Sequence, residues 1–243
     1  MFSIIMPAYN SSKTIHASIL SVLNQTITDW ELIVIDDCSI DDTISIVESF
    51  NDQRIILIKN TQNIGVALSR NKGLKISKGK YISFLDSDDI WKRDKCEKQL
   101  KYLAAGFNIV CGNYYTFSSE DSLLNVRRSP EIITYKDMLK SNFIGNLTGC
   151  YNSEVCGVLM QKIIGHEDYI MWLDLVSAYG PAYCIQDVLA GYRLSSSSLS
   201  AKKTKAMKWQ WYIYRKYLDL SLIKASCLFF QYIIYALKKR ISK

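Results

Sequence analysis

No two of the seven cysteines stand two residues apart, so the sequence offers neither a zinc knuckle nor a dithiol redox motif. Odd in number and scattered, they read as buried free thiols in a reducing cytosol. Met1 to Met6 is a short apolar run with no basic region before it, so a secretory leader is not expected. No internal repeat marks the chain. No GxGxxG is present, and the first loop, Pro7-Ala8-Tyr9-Asn10, is neither glycine-rich nor basic. That loop counts against a dinucleotide-dependent dehydrogenase and against a nucleotidyltransferase. Even the long apolar stretch from Leu218 to Leu237 carries Asp219, Lys224 and Gln231, which makes it a poor membrane span.

What the 243 residues do contain, 49% hydrophobic and 22% charged, suits one α/β domain with a sizeable core and an appendage. The net charge of +7 is unevenly placed. From Lys202 onward eleven basic residues face the single acid Asp219, so that segment carries +10 and the rest of the chain −3. Trp209, Trp211, Tyr212 and Tyr214 are interleaved with those lysines. That mixture fits an anionic membrane surface better than nucleic acid, with residues 202–243 as an in-plane amphipathic helix. Packing of this tail on the body or on a homodimer partner is the alternative. The expected location is cytoplasmic, peripheral on the inner face of the inner membrane.

Apolar and β-branched runs predict strands at Phe2 to Met6, Glu31 to Ile35, Arg54 to Lys59 and Tyr81 to Leu85. Between them lie a helix with Ile15, Ile19, Val22 and Leu23 on one face, capped by Asn10, Ser11 or Ser12, a short helix from about Asp42, and another over Gly65 to Ile76. This alternation predicts a parallel sheet covered on both faces, with ligands bound beyond the carboxyl ends of its strands. Past Phe117 the pattern loosens. It leaves a capped helix at Thr134 to Lys140, a longer one at Glu167 to Ala178, two short strands within Tyr183 to Leu194, and a flexible serine-rich stretch at Ser195 to Ser200.

Polar clusters sit at the predicted strand ends. In Asp86-Ser87-Asp88 the two carboxylates are two residues apart, so an extended chain points both at one ligand. Such a pair suits a hard divalent cation and a diphosphate, although an isolated Asp-x-Asp is better read as a solvated acidic turn. The phosphatase class that also uses Asp-x-Asp wants a threonine where Ile90 stands. In the Asp36-Asp37-Cys38-Ser39 loop, Asp36 or Asp37 is available to a ribose or base, while Asp41 or Asp42 is better read as a helix cap. Glu167 and Asp168 open a helix, where acids oppose the helix dipole favourably. His166 before them is a metal ligand or, preferably, a satisfied loop residue.

Pro7-Ala8-Tyr9-Asn10, Ile35-Asp36-Asp37-Cys38-Ser39, Asn63-Ile64-Gly65 with Arg70-Asn71-Lys72-Gly73, Leu85-Asp86-Ser87-Asp88-Asp89 and Glu167-Asp168 together resemble family 2 glycosyltransferases of the GT-A fold. Order and spacing agree over about the first 195 residues. The resemblance implies an inverting, metal-dependent transferase with a Rossmann-like, mostly parallel central sheet flanked by helices and a C-terminal helical tail. Residues 1–117 would be the nucleotide-sugar-binding half and 118–200 the acceptor-binding, catalytic-base half of one domain. Pro7, Tyr9, Asn10, Asp37, Arg70, Asp86, Ser87 and Arg193 would border the nucleotide-sugar. Asp88 would hold Mn²⁺ or Mg²⁺, Asp168 would be the base, and Glu167 would orient the acceptor. Trp172, one turn after Asp168, would stack on an acceptor sugar or pack in the core. Ser195 stands where many members have a histidine after Tyr192-Arg193, and no Gln-x-x-Arg-Trp signature is present. Addition of one sugar per acceptor is therefore expected. The donor would be a UDP-sugar. The acceptor would be a lipid-linked oligosaccharide, an O-antigen or capsule repeat, or lipopolysaccharide. A non-catalytic sugar-nucleotide binder and a nucleotidyltransferase remain as alternatives.

Overall fold

The computed structural model describes residues 1–118, 123–194 and 203–241. Ser195 to Ser200, Lys202 and the side chains of the closing Lys238-Lys239-Arg240 lie outside the described residues. The first half alternates strictly: β1 Phe2–Ala8, α1 Ile15–Leu23, β2 Trp30–Asp36, α2 Thr43–Glu48, β3 Ile55–Lys59, α3 Val66–Ile76 and β4 Tyr81–Phe84. Then follow β5 Ile90–Trp91, α4 Lys95–Ala104, β6 Ile109–Phe117, β7 Leu123–Arg127, β8 Ile132–Ile133 and α5 Tyr135–Met138. The body ends with β9 Cys150–Asn152, α6 Ser153–Cys156, α7 Glu167–Tyr179 and β10 Ala182–Arg193. The tail is α8 Lys203–Tyr212, a π-helical turn Ile213–Tyr217 and α9 Leu222–Ile241.

All ten described strands form one sheet in the order β3-β2-β1-β4-β9-β6-β10-β5, with β7 beside β6 and β8 beside β10. The neighbours β3, β2, β1 and β4 are parallel. Because β9 is antiparallel to both β4 and β6, and β6 is parallel to β10, six strands point the same way. The sheet is therefore mixed but mostly parallel, and it runs through both residues 1–117 and 118–200. Alternation along β1 sorts the core. Ile4 and Met6 face one side with Ile15, Ile19 and Val22 of α1, while Ile5 faces the other with Leu74 of α3 and the buried face of α7. Gly73 brings α3 close, since a Cβ there would stand 2.7 Å from Ile35 and 2.9 Å from Ile5.

Three local expectations change. The strand expected to end at Pro7 continues to Ala8 on the β2 side. Pro7 lies one pleat beyond the last β1–β4 pair, Ile5 with Phe84, so no partner requires its missing N–H. Helix α1 begins at Ile15 after Thr14, without a side-chain cap, because Asn10 Oδ1 accepts from the Ile40 N–H and the Ser11 hydroxyl bonds Ser87 instead. The two strands expected within Tyr183 to Leu194 are one strand, β10, whose register against β6 shifts twice between Ile185 and Ala190. The helix expected from Thr134 keeps its cap: Thr134 and Asp137 close a reciprocal capping box.

The tail is docked, not detached. Ile213 and Tyr214 are fully buried, the Tyr214 hydroxyl donates to the Leu139 carbonyl (2.5 Å), and Leu218 and Leu228 pack on the core beneath α7. Trp209 lies against Gly165 and the His166 ring, with ring centroids of the latter pair 5.2 Å apart. Among the described residues no helix is long and apolar enough to cross a membrane.

Candidate functional site

Three loops at the carboxyl edge of the sheet are stitched together by short polar side chains. The Asp37 N–H donates to the Ala8 carbonyl (2.7 Å), joining the ends of β2 and β1. Asn10, in the left-handed region at φ 49°, accepts from the Ile40 N–H (2.9 Å) and donates its own N–H to Ser39 (2.9 Å). Ser11 donates its N–H to Thr43 Oγ1 (2.7 Å) and shares a hydroxyl contact of 2.7 Å with Ser87 beyond β4. Asp41, read as a helix cap, accepts from both Thr43 and Ser12. Burial opposes its charge, yet these donors hold its pKa down at about 2. Tyr9, half-exposed, stands at the mouth of this seam.

Asp37 is buried with both carboxylate oxygens engaged. Oδ1 accepts from Asn60 (2.8 Å) and the Ile64 N–H (2.9 Å), and Oδ2 from the Gly65 N–H (2.8 Å). Burial disfavours the anion, and the donors from Ile64, Asn60 and Gly65 outweigh it, leaving the pKa below the ordinary value. Asp37 therefore shapes the loop that turns at Gly65, φ +88°, into α3, and any base N–H would be a further donor to it. Its neighbour Asp36 donates no such order outward: Oδ2 accepts the Ser39 N–H (3.0 Å), and Oδ1 is buried without a partner.

The centre of the edge is a charge cluster. Arg70 on α3 reaches Asp86 at 2.5 Å, with side-chain exposures of 7% and 33%, and donates to Gln161 at 3.3 Å. Burial disfavours the guanidinium charge, but Asp86 first and then Asp168 and Glu167 more than restore it. Asp88 is pushed up to about 6 by burial and by Asp86, against the pull of Arg193 and Arg70. Asp89 is fully buried, and burial first, then Asp88 and Asp86, raises its pKa well above the ordinary value. Its Oδ1 accepts the Arg193 N–H (2.9 Å), while Oδ2 has no partner. Arg193, at the carboxyl end of β10, donates through Nε to the Asp88 carbonyl (3.0 Å) and lies over the Phe117 ring at 4.4 Å. Helix α7 runs back toward the start of β10, so its first turn, Glu167 and Asp168, is level with these residues. There Asn142 donates to Asp168 over 3.5 Å.

The structure thus brings Arg70, Asp86, Asp88, Glu167, Asp168 and Arg193 into one charge cluster at the edge that carries Pro7, Tyr9, Asn10, Asp37 and Ser87. Trp172 is not part of it. That ring is fully buried, edge-on to Phe84 and Tyr151, with Nε1 donating to Asn146 at 3.3 Å, so it packs the core and stacks on no sugar. Gly149 makes room for it: a Cβ there would lie 2.3 Å from the indole. Gly149→Ala is expected to destabilise by about 1–3 kcal/mol through overpacking, read as a lower thermal midpoint. An unchanged midpoint would show that the indole can move. His166 is a satisfied loop residue at φ 53°, with Nε2 3.4 Å from the Ala206 carbonyl. Sequence reasoning passed over Gln161 and Asn142, which carry no local signal because their partners lie 91 and 26 residues away.

Among the described residues no group of three or more His, Cys, Asp and Glu side chains is placed to hold a metal ion alone. The donor set still fits one class of cation. Mg²⁺-like ions take one or two carboxylates and complete their shell with water and substrate phosphate. Asp86 lies close enough to help raise the pKa of both Asp88 and Asp89.

Comparison with known proteins identifies the family and the fold. The family model described as glycosyl transferase family 2 matches residues 3–164. The chain is 38% identical over 246 aligned positions to a putative teichuronic acid biosynthesis glycosyltransferase, TuaG, of Bacillus subtilis, covering 99% of this chain and 98% of that protein. It is also 38% identical to the Escherichia coli UDP-Glc:alpha-D-GlcNAc-diphosphoundecaprenol beta-1,3-glucosyltransferase WfgD, covering 98% and 94%. Among solved structures, S. aureus TarS 1-349 in complex with UDP-GlcNAc superposes with a TM-score of 0.72 at 18% identity, over 96% of this chain and 71% of that one. The mannosyltransferase PcManGT from Pyrobaculum calidifontis, in complex with GDP-Man and Mn²⁺, gives 0.70 at 17% identity, over 90% and 64%. At such identities the two structures speak for the fold.

Proposed function

The chain belongs to glycosyl transferase family 2, and from that premise we propose that it moves one sugar from a nucleotide-diphosphate donor, preferably a UDP-sugar, to an acceptor hydroxyl with inversion at the anomeric carbon. The acceptor is a lipid-linked oligosaccharide, an O-antigen or capsule repeat, or lipopolysaccharide, and an α-linked donor yields a β-linked product. The observation that carries this reading is the meeting of Asp86, Asp88 and Arg70 with Glu167 and Asp168 in a single charge cluster. The substrates named for the Escherichia coli relative, UDP-Glc and a diphosphoundecaprenol-linked sugar, support the donor and acceptor classes.

A nucleotide-sugar already carries its leaving group, so transfer does not need the acid–base carboxylate pair of a glycosidase. In this reading residues 1–117 hold the donor: Tyr9 borders the base, Asp37 accepts from it, and Asp86 offers Oδ2 to the ribose while Arg70 holds Oδ1. Asp168 takes the proton of the acceptor hydroxyl, and Glu167 beside it orients the acceptor. Arg193 faces the departing diphosphate. A Mn²⁺ or Mg²⁺ ion on Asp88, when bound, supplies fixed positive charge against that diphosphate.

A panel of nucleotide-sugars read by donor hydrolysis tests the proposal. Chelation is expected to slow turnover by at least about tenfold, with recovery on adding Mn²⁺ or Mg²⁺. Asp88→Asn should show little recovery. A full rate after chelation removes the metal role from Asp88, binding without hydrolysis or transfer returns the chain to a non-catalytic binder, and no binding of any nucleotide-sugar overturns the proposal. In this reading the enzyme works peripherally at an anionic membrane surface, where a lipid-linked acceptor is presented, and the +10 charge of the tail supports it.

A further inference from the structure

The tail has two faces. Toward the body it buries Gln210, Ile213, Tyr214 and Ala225. Away from the body α8 and α9 enclose a groove of about 480 Å³, floored by Trp211, Tyr212 and Phe229 and rimmed by Lys208, Arg215 and Lys216. No acid lines it. Trp211 and Phe229 meet edge to face at 5.4 Å, which joins the two helices across the floor. Arg215 is anchored by a bond to the Leu220 carbonyl, and Lys208 and Lys216 are exposed. Along α9 the apolar residues Ile223, Phe230 and Leu237 recur every seven positions and are 80%, 65% and 51% exposed, an apolar stripe beside the cationic groove.

We propose that this groove seats the phosphate of an anionic lipid headgroup, with Trp211 and Phe229 at the acyl boundary and the α9 stripe inserted beside them. The inference rests on the reading of the tail as membrane-facing, and it adds a defined face and a defined seat. Three cations around an aromatic floor match a headgroup that is anionic on one side and apolar on the other. Nucleic acid would match the cations but leave Ile223, Phe230 and Leu237 in water. A second copy would bring another +10 tail against this one, a like-charge contact that opposes pairing.

The test uses the full chain and two kinds of vesicle, phosphatidylcholine alone and phosphatidylcholine mixed with phosphatidylglycerol, with flotation giving a partition coefficient. The wild type is expected to bind only the mixed vesicles. The pair Lys208→Glu and Lys216→Glu should weaken that binding at least about tenfold, since each basic residue near such a surface contributes severalfold to partition. A matched control, Lys75→Glu with Lys101→Glu, makes the same charge change at exposed positions on the body and should weaken it much less. Equal losses in the two pairs overturn the seat and leave only diffuse attraction. A change of solution mass in the Lys208/Lys216 pair without vesicles also overturns it, in favour of a second copy. If the wild type binds neither vesicle, the seat and the membrane reading of the tail fall together. Donor hydrolysis, measured on the same samples, tells whether the glycosyltransferase reading and the fold of each variant stand.

Discussion

Asp168→Asn is expected to lower the transfer rate by about 10²- to 10⁴-fold, the range for removing a positioned general base, while nucleotide affinity stays close to wild type. Asparagine has the shape of aspartate and keeps a carbonyl oxygen for Asn142, so the first turn of α7 has no steric reason to move. What it loses is the ability to take a proton. The donor-side groups sit on other segments: Asp37 on the loop after β2, Asp86 and Asp88 on the loop after β4, and Arg70 on α3. Arg70 feels Asp168 only after Asp86, so removing one negative charge from α7 leaves the main ion pair in place. Glu167→Gln should separate the neighbours, raising acceptor KM more than it lowers kcat. Transfer kinetics beside calorimetric nucleotide binding check both. A nearly normal turnover in Asp168→Asn would remove it as the base, and a lost affinity would make it part of the donor site.

The parallel half of the sheet was legible because β1, β2 and β4 are buried on both faces and each ends at a polar cluster. Asp86, Asp88 and Arg193 fall at one edge for the same reason, strands of one direction delivering their carboxyl ends together. Helix α4 was hidden because its inward face mixes Cys96 and Leu103 with the polar Lys95 and Gln99. Lys95 is fully buried there, donates to Gln99 at 2.6 Å and lies 3.6 Å from the Trp91 ring, so the apolar period is broken where the helix packs. Trp172 shows another limit. Spacing placed it on the face of Asp168, but only Gly149 and the neighbouring rings decide that this depth of α7 is core. In the tail, the π turn at Ile213–Tyr217 and the non-helical residues 218–221, with Asp219 at φ 46°, separate α8 from α9. A single helical wheel therefore cannot display the buried and exposed faces together.

The ion pair between Arg70 and Asp86 should respond asymmetrically to losing either partner. Asp86→Asn leaves the guanidinium buried, with Gln161 at 3.3 Å and Nε without a partner. Removing one partner of a buried pair costs about 3–5 kcal/mol. The remaining fields of Asp168 and Glu167 place the expected loss near the low end, about 3 kcal/mol, or a midpoint lower by roughly 6–12 °C for a chain of this size. Arg70→Met removes the buried charge itself and fills similar space. Asp86, one-third exposed, can then turn to water, so the expected loss is only about 1 kcal/mol, within the range of partly exposed pairs. The double variant should be close to Arg70→Met in stability, since neither charge is left stranded. Function should reverse the order: Arg70→Met takes the counter-charge from Asp86, Asp88, Glu167 and Asp168 at once and should weaken donor binding more than Asp86→Asn does. Thermal unfolding and donor affinity on the three variants check the two orders separately. If Asp86→Asn proves the milder change in stability, the cation is held chiefly by the first turn of α7, and the donor and acceptor sides of the cleft share one charge more tightly than the ion pair alone suggests.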